Sequence, residues 1–223
     1  MNFKDFFAIS PNSVQKNCII CNSLDIALFS DQVKNGLFVK TSEIENATVI
    51  ALKNNFLAGD IILYLKQTQC ENIILFGGCG GCGDINSGDM IVVDKAYNLE
   101  SFSKMLTGKD FDYIEADKKL SEEFCKQNGN EKFIKTNSAC VGSLLLESKY
   151  INWFKENNIC ALDMESSIIF CAAKEIGMSF AAFMYIADHI EKNPFGTLLD
   201  DNVKMKLASA RKKLSKMIMD FVK

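Results

Sequence analysis

The chain has 223 residues, 48% of them hydrophobic and 24% charged, enough for one well-buried core at the upper end of single-domain length, so one domain over residues 1–223 is expected. A formal net charge of -3, with no Lys/Arg block interleaved with aromatics, excludes the basic surface that a nucleic acid polymer requires. No apolar run reaches the roughly 18–20 residues needed to cross a bilayer, and the first residues lack the basic and apolar regions of a secretory signal, so a cytoplasmic protein without membrane contact is expected.

Short apolar runs bounded by turn residues alternate with helix-period segments, the pattern of an α/β protein with a largely buried sheet. In chain order the predicted strands are Cys18 to Cys21, Ala47 to Leu52, Asn72 to Phe76, Met90 to Val93 and Phe180 to Ile186. Between the second and third, "LAGDIILYLKQ" has the spacing of a crossover helix through Ile61, Ile62 and Leu65. Later, "MESSIIFCAAKEIG" places Ile168, Ile169, Ala172, Ala173 and Ile176 on one stripe and stops at Gly177, a natural C-cap. The tail from Asp200 to Lys223 reads as a helix with Leu207, Leu214, Ile218 and Phe221 inward. Nine cysteines, an odd count with mostly apolar neighbours, read as reduced core residues rather than a disulfide framework.

The stretch "LFGGCGGCGDINSGDMIVVD", Leu75 to Asp94, admits three readings. Gly78 to Gly83 spells G-x-G-x-x-G, but a dinucleotide site needs a helix to follow, and a polar turn and a strand follow instead. Cys79 and Cys82 spell C-x-x-C, yet the chain's one histidine, His189, supplies no second ligand pair for a metal, and a redox pair lacks its helix start. What remains is a glycine turn between two strands that lets the backbone come very close to a ligand, with the cysteines as small apolar fillers. Farther on, "CALDMESSIIF" sets Asp163, Met164 and Glu165 at a strand-to-helix turn, and "FMYIADHI" ends a strand on Asp188 and His189. Glu165 as a first-turn charge and Asp188 as a turn cap are sound structural readings singly. Two carboxylates at strand ends together point to chemistry in the cleft of an open sheet.

The glycine turn with "SGDMIVVDKA", then "DMES", an amphipathic helix and a strand ending in an Asp-containing turn, resembles the nucleoside phosphorylase superfamily in that order. That family comprises purine nucleoside and uridine phosphorylases and the methylthioadenosine/S-adenosylhomocysteine nucleosidases. The resemblance runs from about Asn72 to Ile190 and implies a three-layer α/β/α sandwich with a central mixed sheet. It implies cleavage of an N-ribosidic bond in a purine nucleoside or 5'-modified nucleoside, no metal or organic cofactor, and a homodimer or hexamer. Carried over residue by residue, it makes Met164 and Glu165 the ribose clamp and Asp188 the proton donor to the departing purine. Tyr150, after "ACVG", becomes the base-stacking aromatic, and Gly78, Cys79 and Gly80 the turn facing anion or ribose.

The departures decide between acceptors. Phosphorylases of this family hold phosphate with several arginines and a hydroxyl residue in the central turn; this chain has one arginine, Arg211, and Gly78 where the hydroxyl is expected. A dianion without bidentate guanidinium partners is poorly held, even with Lys53 and turn amides in reach. Hydrolysis is therefore favoured, with Asp25 as the candidate water-activating base, and phosphate remains a possible co-substrate of the phosphorolytic alternative. His189 reads equally as a functional neighbour of Asp188 and as a satisfied structural histidine. A catalytically eroded nucleoside-binding protein on the same fold is the remaining alternative, motivated by N-terminal loops without the usual glycines.

Overall fold

A computed structural model describes residues 2–109 and 112–223. The fold grows from β1 (Asn17–Asn22), whose Cys18 and Ile20 face one hydrophobic layer while Ile19 and Cys21 face the other. That two-sided burial is what a near-continuous apolar strand requires. Parallel neighbours flank it: β4 (Ala47–Leu52) on one side and β5 (Asn72–Gly81) on the other. Outside β4 lie the antiparallel β3 (Val39–Ile44) and the short β2 (Lys34–Asn35).

Beyond β5 the sheet curls. β10 (Ser179–His189) runs parallel to β5 along almost its whole length and antiparallel to β6 (Met90–Leu99). β6 carries β7 (Tyr113–Glu115) at one edge and β8 (Phe133–Val141) in parallel, and β8 carries β9 (Ile159–Asp163). β9 then returns to β5, pairing antiparallel at Gly80 and Gly81, so five strands close a ring. The sheet is mixed, as expected.

Helices cover both faces. α1 (Phe3–Phe7), α2 (Ala58–Tyr64), α3 (Phe102–Thr107) and α6 (Ser166–Glu175) pack on the layer holding Ile20, Ile73 and Leu75. α4 (Lys118–Gln127) and α7 (Asp201–Phe221) pack on the layer of Ile19, Ile74 and Phe76, where Phe124 stacks on Phe183 at 3.8 Å between ring centroids. Each such buried ring removes enough apolar area from water to contribute about 1.5–3 kcal/mol. α5 (Ile151–Glu156) closes a smaller cluster against Tyr97, Ala139 and Leu162. Gly177 ends the turn after α6 at φ +77, the left-handed position that a C-capping glycine occupies at least cost.

The structure corrects two sequence expectations. The crossover helix is shorter than "LAGDIILYLKQ", its last residues tightening into a 3₁₀ turn over Leu65–Gln67. The glycines at 77, 78, 80 and 81 form no turn: β5 continues through them to Gly81, because β10 supplies a parallel partner along its length and β9 joins at its far end. In this region positive φ begins only at Gly83 and Gly88, so the strand glycines serve close approach rather than an unusual backbone conformation.

Candidate active site

β5 changes partners along one edge, and the change leaves an opening. β1 pairs with it from Asn72 to Leu75, β9 only at Gly80 and Gly81, so among the described residues Phe76 to Cys79 have no strand on that side. A switch of this kind, beyond the carboxyl end of a parallel strand, is where an α/β sheet binds its ligand. Gly78 is exposed in mid-sheet, and a Cβ built at Gly77 would meet nothing within 4 Å. Cys79 turns the other way: its thiol is buried and donates to the Tyr185 carbonyl at 3.6 Å, while Cys82 donates to Ile159 at 3.0 Å. Both are free fillers, as the sequence suggested.

Two carboxylates flank the opening. On the β10 side Asp188 pairs in register with Gly80, and a Cβ on Gly80 would stand 3.2 Å from the Asp188 Oδ1. Burial pushes the Asp188 carboxyl up from its usual range, with neighbouring His189 opposing. On the β9 side the antiparallel chain runs past Leu162 into Asp163, Met164 and Glu165. Here Asp163 caps α6: its Oδ1 accepts from the backbone N–H of Glu165 at 2.8 Å and of Ser166 at 2.6 Å. Glu165 is thereby freed from capping, and burial together with the charge of Asp163 pushes it up to about 7, Asn55 opposing. None of the ion pairs among the described residues includes Asp163, Glu165 or Asp188.

Tyr150 stands half-exposed on the 3₁₀ turn Glu147–Tyr150, lining a pocket of about 340 Å³ with Leu99, Val141, Gly142, Ser143, Leu146 and Glu147. This is within the size range of small-ligand sites. A larger hollow of about 490 Å³, lined by Tyr113, Asp117, Lys174 and Phe180 among others, lies at the start of β10, the end opposite Asp188. Glu147 escaped the sequence reading, although a lone acid in "VGSLLLESKY", three residues before the aromatic, is a visible signal. Burial and the charge of Asp188 push it up to about 7.

The remaining candidates are engaged within the protein. Asp25 follows β1 and is 1% exposed, with both oxygens engaged: Oδ1 accepts from Arg211 Nε on α7 and Oδ2 from Asn22 Nδ2. Arg211 also donates to the Leu24 carbonyl at 3.0 Å. His189 is fully buried; its Nε2 donates to the Gly83 carbonyl at 3.0 Å and its Nδ1 accepts from the amides of Glu191 and Lys192. It is the satisfied structural histidine. Among the described residues no group of three or more His, Cys, Asp or Glu side chains is arranged to hold a metal ion, and no helix is long and apolar enough to cross a membrane.

A family model described as the phosphorylase superfamily matches residues 59–223. No curated protein matches the sequence. Among solved structures, uridine phosphorylase from Vibrio fischeri ES114 superposes with a TM-score of 0.79 at 16% identity, over 96% of this chain and 93% of that one. AMP nucleosidase from Bacteroides thetaiotaomicron VPI-5482 gives 0.76 at 13%, covering 98% and 94%. The 5'-methylthioadenosine/S-adenosyl homocysteine nucleosidase of Campylobacter jejuni gives 0.72 at 11%, covering 93% and 98%. These likenesses establish a shared fold.

Proposed function

The chain belongs to the phosphorylase superfamily, an enzyme family, and on that premise we propose that it cleaves the N-ribosidic bond of a purine nucleoside or a 5'-modified relative, with water favoured as acceptor. The observation that carries the reading is the pair Asp188 and Glu165, two carboxyls that make no ion pair among the described residues, on either side of the open stretch of β5. Breaking a glycosidic bond develops positive charge on the sugar and negative charge on the base. Asp188, whose carboxyl desolvation pushes up, is the group placed to give a proton to the departing base. Glu165 accepts from the sugar hydroxyls and places negative density beside the developing cation, with Met164 packed on the ring. Tyr150 stacks the base, and the backbone at Gly78 and Gly80 lets the sugar approach the sheet.

The preference for water rests on the arginine. A phosphate dianion needs guanidinium partners, and Arg211 is already committed to Asp25 and Leu24. Lys53 likewise donates to the Gly36 carbonyl and Lys40 to Ser23. Asp25 joins the mechanism as water-activating base only on release from Arg211. The exposed Leu144, Leu145 and Leu146 beside Tyr150 support assembly as a homodimer or hexamer, which light scattering tests.

The experiment is incubation of purified protein with adenosine, inosine, methylthioadenosine and uridine, with and without phosphate, following free base. Release independent of phosphate is the expected result. Release only with phosphate establishes the phosphorolytic alternative, and nucleoside binding without release of any base establishes the non-catalytic binder.

A further inference from the structure

Glu147 has no part in the mechanism above, yet it is a carboxyl only 8% exposed on the wall of the pocket that Tyr150 lines. A buried polar group normally has its hydrogen bond made within the protein. Among the described residues none of the hydrogen bonds or ion pairs reaches the Glu147 carboxyl. Its oxygens are not among the fully buried side-chain atoms left without a partner, so they open to the hollow and are free to accept from a group that enters it. Its position adds direction: in the 3₁₀ turn Glu147–Tyr150, residues three apart stand one above the other, so both side chains address the same hollow. Asp188 on β10, although not part of that pocket's lining, is near enough for its like charge to add to the effect of burial on Glu147.

We infer that Glu147 selects the leaving base by accepting a hydrogen bond from an exocyclic amine on the base edge next to the atom that Asp188 protonates, which favours 6-aminopurines over 6-oxopurines. The inference rests on the reading of the cleft as a nucleoside site. A purine stacked on Tyr150 with its imidazole nitrogen toward Asp188 presents its 6-substituent on that same edge. An amino group there donates to the Glu147 carboxylate, whereas an oxo group sets acceptor against acceptor and leaves both unpaired. Sites built around a buried hydrogen bond reject the analogue that lacks the matching group far more strongly than apolar pockets do. With Glu147 pushed up to about 7, the carboxylate form dominates at pH 8, where the preference is to be read.

The test has two readouts at pH 8, turnover of adenosine against inosine and calorimetric binding of free adenine, hypoxanthine and unsubstituted purine, each on wild type and on Glu147→Gln. The amide of glutamine presents either a donor or an acceptor, so it removes the discrimination without changing the volume. Wild type is expected to favour the amino compounds by about tenfold or more, and the variant to narrow that ratio to within about threefold. Unsubstituted purine, which needs no altered protein, is expected to bind wild type about tenfold more weakly than adenine. Equal preference in wild type, a preference unchanged in a folded Glu147→Gln, or no binding of any base overturns the inference. Adenine-selective binding that Glu147→Gln abolishes, with no base released from any nucleoside, upholds Glu147 as the selector and overturns the catalytic reading instead.

Discussion

Asp25 follows β1 and Asp188 stands near the end of β10, the two parallel strands on opposite edges of β5, and their surroundings differ in one respect that decides what each does. Asp25 is buried and meets a guanidinium; its burial pushes the pKa up while Arg211 and Asn22 draw it back. Asp188 is less buried and meets no cation, so burial is opposed only by His189. A carboxylate whose charge is answered by the protein ties structure together, here the loop after β1 to the C-terminal helix. A carboxyl whose charge is unanswered is a cost to the fold and a resource for proton transfer.

Asp188→Asn gives the largest expected effect: a loss of about 10²–10⁴ in turnover with nucleoside affinity kept within about tenfold, read by kinetics beside calorimetry. Unchanged turnover in the folded variant would remove Asp188 from the mechanism. On the other side of the comparison, Arg211→Met leaves Asp25 buried without its cation and is expected to cost about 3 kcal/mol in denaturant unfolding. Asp25→Asn separates structure from chemistry: a loss of stability with turnover within about tenfold keeps Asp25 structural, whereas a hundredfold fall in turnover makes it the base.

Gly80→Val tests the close approach between the two halves of the site. Its Cβ would lie 3.2 Å from the Asp188 Oδ1 and 3.5 Å from Leu162, so a branched side chain is expected to cost about 1–3 kcal/mol in stability and at least tenfold in ligand affinity. Binding unimpaired by valine would place the ligand elsewhere.

The smallest effect is a pH signature of Glu165. Its folded pKa of about 7 lies above its ordinary 4.5, so the folded state binds the proton more tightly than the unfolded state. The contribution of Glu165 to stability is then greatest below about pH 4.5, declines as pH rises through 7, and is flat above. Glu165→Gln, which cannot ionise, is expected to raise stability at pH 8 by on the order of 1 kcal/mol while leaving it nearly unchanged at pH 4.5, and to weaken nucleoside binding. A variant less stable than wild type at pH 8 would contradict the desolvated carboxylate.

Much of this was written in local pattern. The two-sided burial of β1, β4 and β5 follows from apolar runs, the α6 stripe from its spacing, and Met164, Glu165 and Asp188 from their place at strand ends. Strands β3 and β8 were not legible because "VKTSEI" and "FIKTNSACV" mix polar residues into runs whose burial depends on neighbours far away in sequence. The same limit hid the true form of the glycine stretch. Glycine permits both a turn and a strand, and only β10 and β9 on either edge select the strand.

By itself, then, the sequence determined an α/β chain with a largely buried sheet, reduced cysteines and a pair of carboxylates at strand ends, because side-chain periodicity and the chemistry of single residues are local properties. Tertiary structure alone decided that Arg211 reaches 186 positions back to close on Asp25, that His189 is spent on Gly83, and that Glu147 shares a wall with Tyr150. The charge that a carboxyl carries in a folded protein depends on which donors and cations the fold brings beside it, and those are set by packing across the chain rather than along it.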